Sequence, residues 1–400
     1  MSRDAPLSLI WCDSDLRLVA GLMLLQGAFA CTLGPYLSVL AVRQFGLGDR
    51  GYAMVMVAMT LMSVTAALVA GIRADQAANR RAIALWACGL MVAGAGVMTL
   101  HPSAASFVLT TALILPMSTL YGQLFAQGRL AAGAHDGPTR DGIMSAIRAL
   151  FALPFVVVLP LWSLAFARGA EVLSVYPVAL ALAMAMLALT ARLWSRPTAA
   201  TWVDAPSGLS LRQALGELAA PGLGLRILAL GAVSAGGTAY WAIMGLVLSG
   251  PEGEGIGTAA LYAGLVAGLE VPFMLAMPMM LGLMTRNHLI LLGTAIYTLQ
   301  LVGIPWLAGH WALWLCLIPG AVGGAITLTL PIAYLQDALG HRPGTGAALM
   351  AVMKVAGDVL AAGSFALGAA MSGYLLAGVL AAGATLAGAA VLVWADRTSR

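Results

Sequence analysis

The sequence predicts an all-α membrane protein in which twelve transmembrane helices form two related six-helix halves. Hydrophobic residues make up 61% of the 400 residues and charged residues only 9%, whereas soluble proteins have about 25% charged residues. Apolar runs of about 20 residues, the length of helix that crosses the ~30 Å hydrocarbon layer, recur along the whole chain. They lack the alternating pattern of the roughly ten-residue strands of a membrane β-barrel.

The apolar runs define the predicted helices in chain order. They cover residues 16–42, 51–72, 82–100, 104–127, 142–167, 171–193, 226–249, 258–283, 289–308, 311–335, 346–370 and 373–394. The first run is too long, and the preceding segment "CDSDLR" too acidic, for a cleavable signal peptide. The chain is therefore expected to keep its first helix.

The longest polar interval, residues 194–225, divides the predicted helices six and six. We therefore expect an N-terminal half at 1–193, a cytoplasmic linker at 194–225 and a C-terminal half at 226–400. The segments "TRDGIMSAIR" (139–148) and "TGAALMAVMK" (345–354) each open the fifth helix of a half. Both run from Thr through Met at the sixth position to a basic residue at the tenth. This match favours a parallel repeat, and it equates Arg148 with Lys354.

The distribution of basic residues predicts the orientation. With both termini in the cytoplasm, the cytoplasmic segments hold 15 of the 20 basic residues, and the outer loops hold Arg43, Arg50 and Arg168. This asymmetry obeys the positive-inside rule. The net charge of +4 thus reflects topology, and no basic patch points to nucleic acid.

The loop after the second helix carries a motif of known type. In "GIRADQAANRR" a glycine is followed by an acid and then by a basic pair, and the residues concerned are Gly71, Asp75, Arg80 and Arg81. This pattern resembles the signature of the major facilitator superfamily, whose members are transporters with two six-helix halves. The resemblance implies that these four residues take part in cytoplasmic gating.

Further segments resemble one branch of that superfamily over most of the chain. "AGLEVP" (267–272), "LQD" (335–337) and "IRAL" (147–150) resemble bacterial sugar efflux transporters in order and spacing. The likeness adds Asp337 to the expected gating residues. In "AYWAIMGL" Ile243 stands where the branch tends to have a polar residue, and Gly245 where it has proline.

Glu270 is the first of four ionisable residues predicted to lie inside the membrane. It falls near the middle of the eighth run, where a charge costs roughly 2.5–3.5 kcal/mol on insertion scales and marks a functional candidate. Desolvation penalises its charged form, so it could exchange a proton near physiological pH. The alternative is a permanently neutral acid hydrogen-bonded between helices.

Lys354 and Asp358 lie one helical turn apart in the eleventh run, and this spacing puts them on the same helix face. Three interpretations stay open: a structural ion pair, a proton-responsive pair, and direct binding of an anionic or hydroxyl-rich cargo. Arg148 in the fifth run is always charged. It either snorkels to the cytoplasmic face, pairs with Asp141, or holds an acid on another helix.

Polar and aromatic residues within the runs are candidate substrate-binding residues, because aromatic faces stack on sugar rings and amides bond hydroxyls. The alternative role of each is hydrogen bonding between helices. They are Gln26, Tyr36, Tyr121, Gln123, Gln127, Tyr240, Trp241, Tyr262 and Gln300.

The sequence contains no motif for soluble enzyme chemistry. No P-loop, GxSxG or HExxH pattern is found, and the four cysteines lack the spacing of a metal or redox site. We therefore expect a protein that is not an enzyme and has no cofactor and no bound metal.

Together these features predict a secondary transporter for proton-coupled efflux of a sugar, glycoside or similar small polar molecule by alternating access. Its expected partners are the substrate, protons and the lipid bilayer, and it is expected to be a monomer in the bacterial inner membrane. One alternative is an exporter of drugs, siderophores or other metabolites, favoured by the apolar Ile243 and by methionine-rich helices. A second is a transporter-like membrane sensor without turnover.

Overall fold

The computed structural model describes residues 6–77, 79–194, 221–251, 253, 255–339 and 343–397, and nearly all of them are helical. Most of the predicted linker therefore lies outside the described residues. The helices are α1 (Pro6–Cys12), α2 (Ser14–Leu33), α3 (Leu37–Val39), α4 (Gly48–Ala77), α5 (Arg80–Leu100), α6 (Ala104–Val108), α7 (Leu120–Ala131), α8 (Gly137–Ala167), α9 (Val175–Leu193), α10 (Pro221–Leu248), α11 (Ile256–Leu275), α12 (Met277–Leu283), α13 (Arg286–Trp306), α14 (Leu317–Leu339), α15 (Pro343–Ser372) and α16 (Tyr374–Arg397).

Eleven of the described helical segments are long and apolar enough to cross a membrane, and a shorter apolar segment spans Ala104–Ile114. This confirms the predicted all-α membrane fold. The starts of several helices follow from local capping. Asp13 accepts hydrogen bonds from the backbone of Asp15 and Leu16 at the start of α2, and Asn79 accepts one from Ala82 at the start of α5.

The predicted fourth helix, 104–127, is wrong as a continuous element. Helical structure ends at Ile114, residues 115–119 are not helical, and α7 begins at Leu120. Pro116 explains the break, because proline removes a backbone donor and clashes with the preceding turn. The predicted eighth helix, 258–283, is also interrupted, at Ala276 between α11 and α12. Pro272 lies in the last turn of α11, and the first turn of α12 contains a proline, where this residue is tolerated.

The chain divides into two compact units, which are described separately. The first consists of Met1–Gly34, Thr65–Leu159 and Glu171–Gly208, and the second of Pro35–Val64, Pro160–Ala170 and Leu209–Arg400. Two of the boundaries, at 64/65 and 159/160, fall inside α4 and α8, so each unit includes a part of these two helices. The division at 194–225 that we expect from the sequence stays a prediction.

In the first unit, α2 packs closely on α8. A Cβ atom on Gly27 would lie only 2.1 Å from the carbonyl oxygen of Phe151, so only glycine permits this approach. Nearby, the Cys31 thiol donates a hydrogen bond to the carbonyl of Pro154 at 3.7 Å. The interface thus follows the general rule that small residues bring membrane helices together.

In the second unit, α10 packs on both α15 and α16. Gly231 and Gly357 make the α10–α15 contact close, because a Cβ on Gly231 would lie 2.8 Å from the carbonyl oxygen of Met353, and one on Gly357 would lie 2.4 Å from Ser234 Oγ. An apolar cluster that includes Leu230, Ile290 and Ile326 is buried beside this interface. The close approach places the side chains of α10 directly beside Asp358 on α15.

Candidate functional site

Asp358 is the centre of a polar cluster in the second unit. It is 5% exposed, and both of its carboxylate oxygens accept hydrogen bonds. Thr238 on α10 donates to Oδ1 at 2.6 Å, and Thr60 on α4 donates to Oδ2 at 2.6 Å. The Nζ of Lys354 lies 2.6 Å from the same Oδ2. A buried acid thereby joins three helices from distant parts of the sequence.

Lys354 and Asp358, which the sequence places on one helix face, form an ion pair whose two members differ in exposure. The Lys354 side chain is 52% exposed and that of Asp358 only 7%. The carboxylate is held by two threonines as well as by the lysine, whereas among the described residues the ammonium group has no other acceptor. The pair therefore combines a fixed, buried negative charge with an accessible positive one.

Glu270 on α11 lies in different surroundings. Its Oε1 occupies the space above Gly324 on α14, where a Cβ atom would be only 2.2 Å away. In the described part of the chain Glu270 has no hydrogen bond and no ion pair. Tyr240 on α10 and Tyr297 on α13 are close enough to interact electrostatically with its carboxylate. Glu270 is thus an acid near two tyrosines, with no basic partner among the described residues.

Three of the predicted substrate-binding residues, Tyr240, Tyr262 and Gln300, are buried in the second unit, and Tyr240 lies close to Glu270. Tyr240 is buried with its ring centroid 6.4 Å from that of Tyr297. Gln300 is fully buried and donates a hydrogen bond to the hydroxyl of Tyr262 at 3.2 Å. The hydroxyl of Tyr240 and Oε1 of Gln300 have no hydrogen-bond partner among the described residues. Because buried polar atoms are nearly always hydrogen-bonded, these two atoms are candidates for contact with water or a ligand.

The remaining candidates in the second unit are Tyr36 and Trp241. Tyr36 is buried, and its ring lies edge-on to Phe166 with centroids 5.3 Å apart. Trp241 is half-buried beside Tyr240, with ring centroids 5.1 Å apart. Both residues thus contact other aromatic side chains.

Four candidates lie in the first unit, namely Gln26, Tyr121, Gln123 and Gln127. Gln123 and Gln127 are buried, Gln26 is half-buried, and all three have an Oε1 without a partner in the described residues. Tyr121 is 39% exposed and lies edge-on to Phe151 with centroids 4.9 Å apart. These four candidates are thus three amide side chains and one tyrosine.

Arg148 on α8 is exposed, and its guanidinium lies 5.5 Å from the centroid of the Phe125 ring, a cation–π distance. Within the described residues it has no carboxylate partner, and pairing with Asp141 is not observed. Arg148 and Lys354 thus have different surroundings, although the sequence places them at matching positions.

Of the predicted gating residues, the structure describes the surroundings of only some. The side chains of Asp75 and Asp337 lie outside the described residues, and Gly71 is half-buried in α4. Arg80 begins α5. Arg81 donates hydrogen bonds to the carbonyls of Ala191 at 2.9 Å and Trp194 at 3.1 Å, at the end of α9.

A second arginine makes contacts of the same kind, and nothing in the local sequence indicates it. Arg43 donates to the carbonyls of Leu246, at 2.5 Å, and Ser249, at the end of α10. Cationic side chains at a helix C-terminus are stabilised by the helix dipole and by the unpaired carbonyls. Arg43 in the second unit and Arg81 in the first thus each cap the C-terminal end of a helix by donating hydrogen bonds to its carbonyls.

Sequence reasoning also missed Thr60, Thr238 and Gly324. Small polar residues and glycine are common in membrane helices, so nothing in the local sequence separates these three from their neighbours. Their roles depend on which helices meet, which the sequence of one chain does not state.

Comparison with known proteins gave matches in three-dimensional structure alone: no family model matches the chain, and no curated protein matches it in sequence. A structure of a variant of the nucleoside transporter NupG superposes with a TM-score of 0.78 at 15% identity, covering 96% of this chain and 100% of that one. A second NupG structure gives 0.72 at 12% identity, covering 96% and 99%.

A variant of the peptide transporter POT, in complex with alafosfalin, superposes with a TM-score of 0.71 at 13% identity and covers 95% of this chain and 93% of that one. At such low identity the likeness establishes the fold and not the substrate. The chain is an all-α membrane protein with the fold of the major facilitator transporters.

Proposed function

We propose that the chain is a proton-coupled secondary transporter that exports a sugar, a glycoside or a similar small polar molecule. The observation that carries this proposal is the position of Glu270, an acid inside a membrane helix with no basic partner among the described residues. A carboxyl group in such a site can exist with or without its proton, and coupling to a proton gradient requires that property. Asp358 suits this role less, because Lys354 already compensates its charge.

The proposed cargo class rests on buried polar and aromatic groups of the second unit. Tyr240, Tyr262 and Gln300 offer ring faces, hydroxyls and an amide, which suit hydroxyl-rich molecules. A structural neighbour is a transporter of nucleosides, and a nucleoside is a glycoside, so it belongs to the same chemical class. We therefore include nucleosides among the first substrates to test.

The alternative cargo, a drug or siderophore, was favoured in part by Ile243 as an apolar residue facing the substrate. Ile243 is 1% exposed. Gly245, the other unusual position, allows α10 to approach the first predicted helix, since a Cβ there would lie 2.7 Å from Ser38 Oγ. The Tyr240 hydroxyl and Gln300 Oε1, which have no hydrogen-bond partner among the described residues, are polar groups, so we place the polar cargo first.

In the proposed arrangement the halves 1–193 and 226–400 move about the site, with 194–225 as a cytoplasmic linker. We propose further that the protein is a monomer of the bacterial inner membrane with both termini in the cytoplasm. Asp75 and Asp337, together with Gly71, Arg80 and Arg81, would gate the cytoplasmic side.

The test is transport by the purified protein in liposomes with an imposed pH gradient, using labelled sugars, nucleosides, peptides and cationic drugs. Glu270→Gln should abolish gradient-driven transport while exchange of substrate down its own gradient continues. Glu171→Gln, which alters an exposed glutamate shortly before α9, is the matched control. Gradient-driven transport by Glu270→Gln at the wild-type rate would refute proton coupling at this residue.

A further inference from the structure

Lys354 is ion-paired, yet its side chain stays half open. It is 52% exposed although its Nζ lies 2.6 Å from Asp358 Oδ2. Ala361 and Phe365, two and three helical turns further along α15, share its helix face and are fully buried. Leu367, on the other side of α15, is 60% exposed. The face that carries Lys354 therefore packs against protein, so the exposed part of this side chain opens to space among the helices, as charged residues in membrane helices generally do.

A row of partly open residues runs along α10. Between residues 229 and 248 this helix is buried except at Ser234, Gly237, Thr238 and Trp241, and the spacing puts these four residues, the α10 stripe, on one helix face. A Cβ atom on Gly237 would meet nothing within 4 Å. There is thus open space directly beside the middle of the stripe.

The α10 stripe and Lys354 meet at Asp358. Thr238 donates a hydrogen bond to Oδ1 of this carboxylate and Lys354 donates one to Oδ2, each at 2.6 Å. A Cβ atom on Gly357 would clash with Ser234 Oγ, which shows how closely the stripe borders α15. The open space beside the stripe therefore lies at the level of the Lys354–Asp358 pair.

The pair at this open space suits an uncharged molecule that bears hydroxyl groups. A lysine ammonium has three N–H donors, and among the described residues Asp358 is the one acceptor that Lys354 has. The two charges of the pair sum to zero. A ligand carboxylate at the ammonium would also lie close to the carboxylate of Asp358, and the repulsion between them would offset the attraction. Hydroxyl oxygens accept hydrogen bonds from the ammonium without that repulsion.

We propose that Lys354 and the α10 stripe bind the ring of an uncharged sugar or glycoside. The ammonium of Lys354 donates hydrogen bonds to ring hydroxyls, the space beside Gly237 holds the ring, and Trp241 offers an aromatic face at the end of the stripe. Asp358 is a positioning residue that holds the ammonium in place. This inference rests on the carbohydrate class of the proposed function, and it adds that neutral carbohydrates are selected over the matching acids.

The first experiment exploits the fact that Lys354 is the only lysine of the chain. Acetylation of the purified full-length protein with a small water-soluble ester, followed by mass spectrometry, reports the accessibility of this one side chain. The neutral probes are glucose, galactose and uridine, and the matching acids are glucuronate, galacturonate and uridine monophosphate. At about ten times its Kd a bound neutral probe should slow acetylation of Lys354 about tenfold, and the matching acid should slow it less.

The second experiment uses variants to locate the bound probe. Gly237→Leu fills the open space and should weaken binding about tenfold in calorimetry, and Trp241→Ala should weaken it as well. Gly363→Leu, at an exposed glycine of α15 with equally open surroundings, is the control. Lys354→Arg keeps the charge and the donors and should retain binding that Lys354→Met loses. Gly237→Leu leaves the ion pair intact, so it tests the site even if Lys354→Met does not fold.

Each outcome supports or overturns the site. Protection of Lys354 by a neutral probe, weakened in Gly237→Leu and retained in Gly363→Leu, supports it. Equal or stronger protection by the acids would overturn the selection for uncharged rings. Protection by none of the probes, or protection that Gly237→Leu leaves unchanged, would overturn the site itself. These measurements need no proton gradient, and Glu270→Gln should be protected like the wild type, so a failure of this site and a failure of proton coupling appear in different experiments.

Discussion

Thr60 on α4 donates a hydrogen bond of 2.6 Å to Asp358 on α15, across 298 positions of sequence. The same carboxylate accepts a hydrogen bond from Thr238 on α10, so one acid links three membrane helices. Any movement that separates α4 from α15 must break the Thr60 bond. Breaking it removes a donor from a buried charged group, so the energy of this contact contributes to the stability of the conformation described.

The first prediction concerns this contact. Thr60→Val keeps the shape of the side chain and removes the hydroxyl, so it should lower stability by about 1.5–3 kcal/mol, the range for hydrogen bonds to charged groups. Thermal unfolding in detergent measures the effect. Thr65→Val, on the same helix at an exposed position, should leave the midpoint almost unchanged. Equal midpoints for the two variants would show that the bond does not stabilise the protein.

The second prediction concerns the Lys354–Asp358 pair. Each alanine substitution leaves its charged partner without the compensating charge, so the two single losses should together exceed the loss in the double variant. We expect an interaction energy within the ~0.5–3 kcal/mol found for residues in contact, towards the lower end because Lys354 is half-exposed. Chemical or thermal unfolding of the four proteins in the cycle provides the measurement. Strictly additive losses would argue against a stabilising pair.

The third prediction uses Gly324 to move the Glu270 carboxylate without changing Glu270 itself. A Cβ at position 324 would lie 2.2 Å from Oε1, so Gly324→Ala should displace the carboxylate and lower pH-driven transport about tenfold, equivalent to ~1.4 kcal/mol. The control is Gly363→Ala in α15, because nothing lies within 4 Å of a Cβ there. Circular dichroism would verify that both variants are folded. If Gly324→Ala transported at the wild-type rate, the position of the Glu270 carboxylate would not matter for pH-driven transport.

The fourth prediction concerns Arg43, which binds the last carbonyls of α10 from the segment between the first two predicted helices. Arg43→Gln should loosen this end and increase the labelling of a cysteine placed at Ser249 by a membrane-impermeant reagent. The exposed native Cys12 is replaced by serine in all proteins compared. Arg50→Gln, at an exposed position of the same segment, is the matched control. Equal labelling of the two variants would contradict a clamping role for Arg43.

The sequence predicts most of the helices because a membrane helix needs only a local apolar run of sufficient length. The two errors occurred at Pro116 and at Ala276, where the run stays apolar but the backbone is interrupted. Hydropathy records the side chains and not the loss of backbone donors, so the runs extended through both interruptions.

In the candidate site, too, the residues with a local sequence signal were identified, and those whose role depends on helix packing were not. Lys354 and Asp358 are four residues apart, so the sequence places them on one helix face. Glu270 stood out because acids are rare in apolar runs. Thr60 and Gly324 act through contacts between helices that are distant in sequence. Their residue types are ordinary at such positions, so only the packing of the helices reveals them.

The two arginines at helix ends differ from the ion pairs in one respect. Arg43 and Arg81 bind main-chain carbonyls, and every amino acid presents the same carbonyl oxygen. Side-chain replacements at Leu246 or Ala191 therefore leave the acceptor in place, and such a contact carries no matching partner residue that must change with it. Over evolutionary time each arginine should be retained or lost on its own, without correlated substitution elsewhere in the chain.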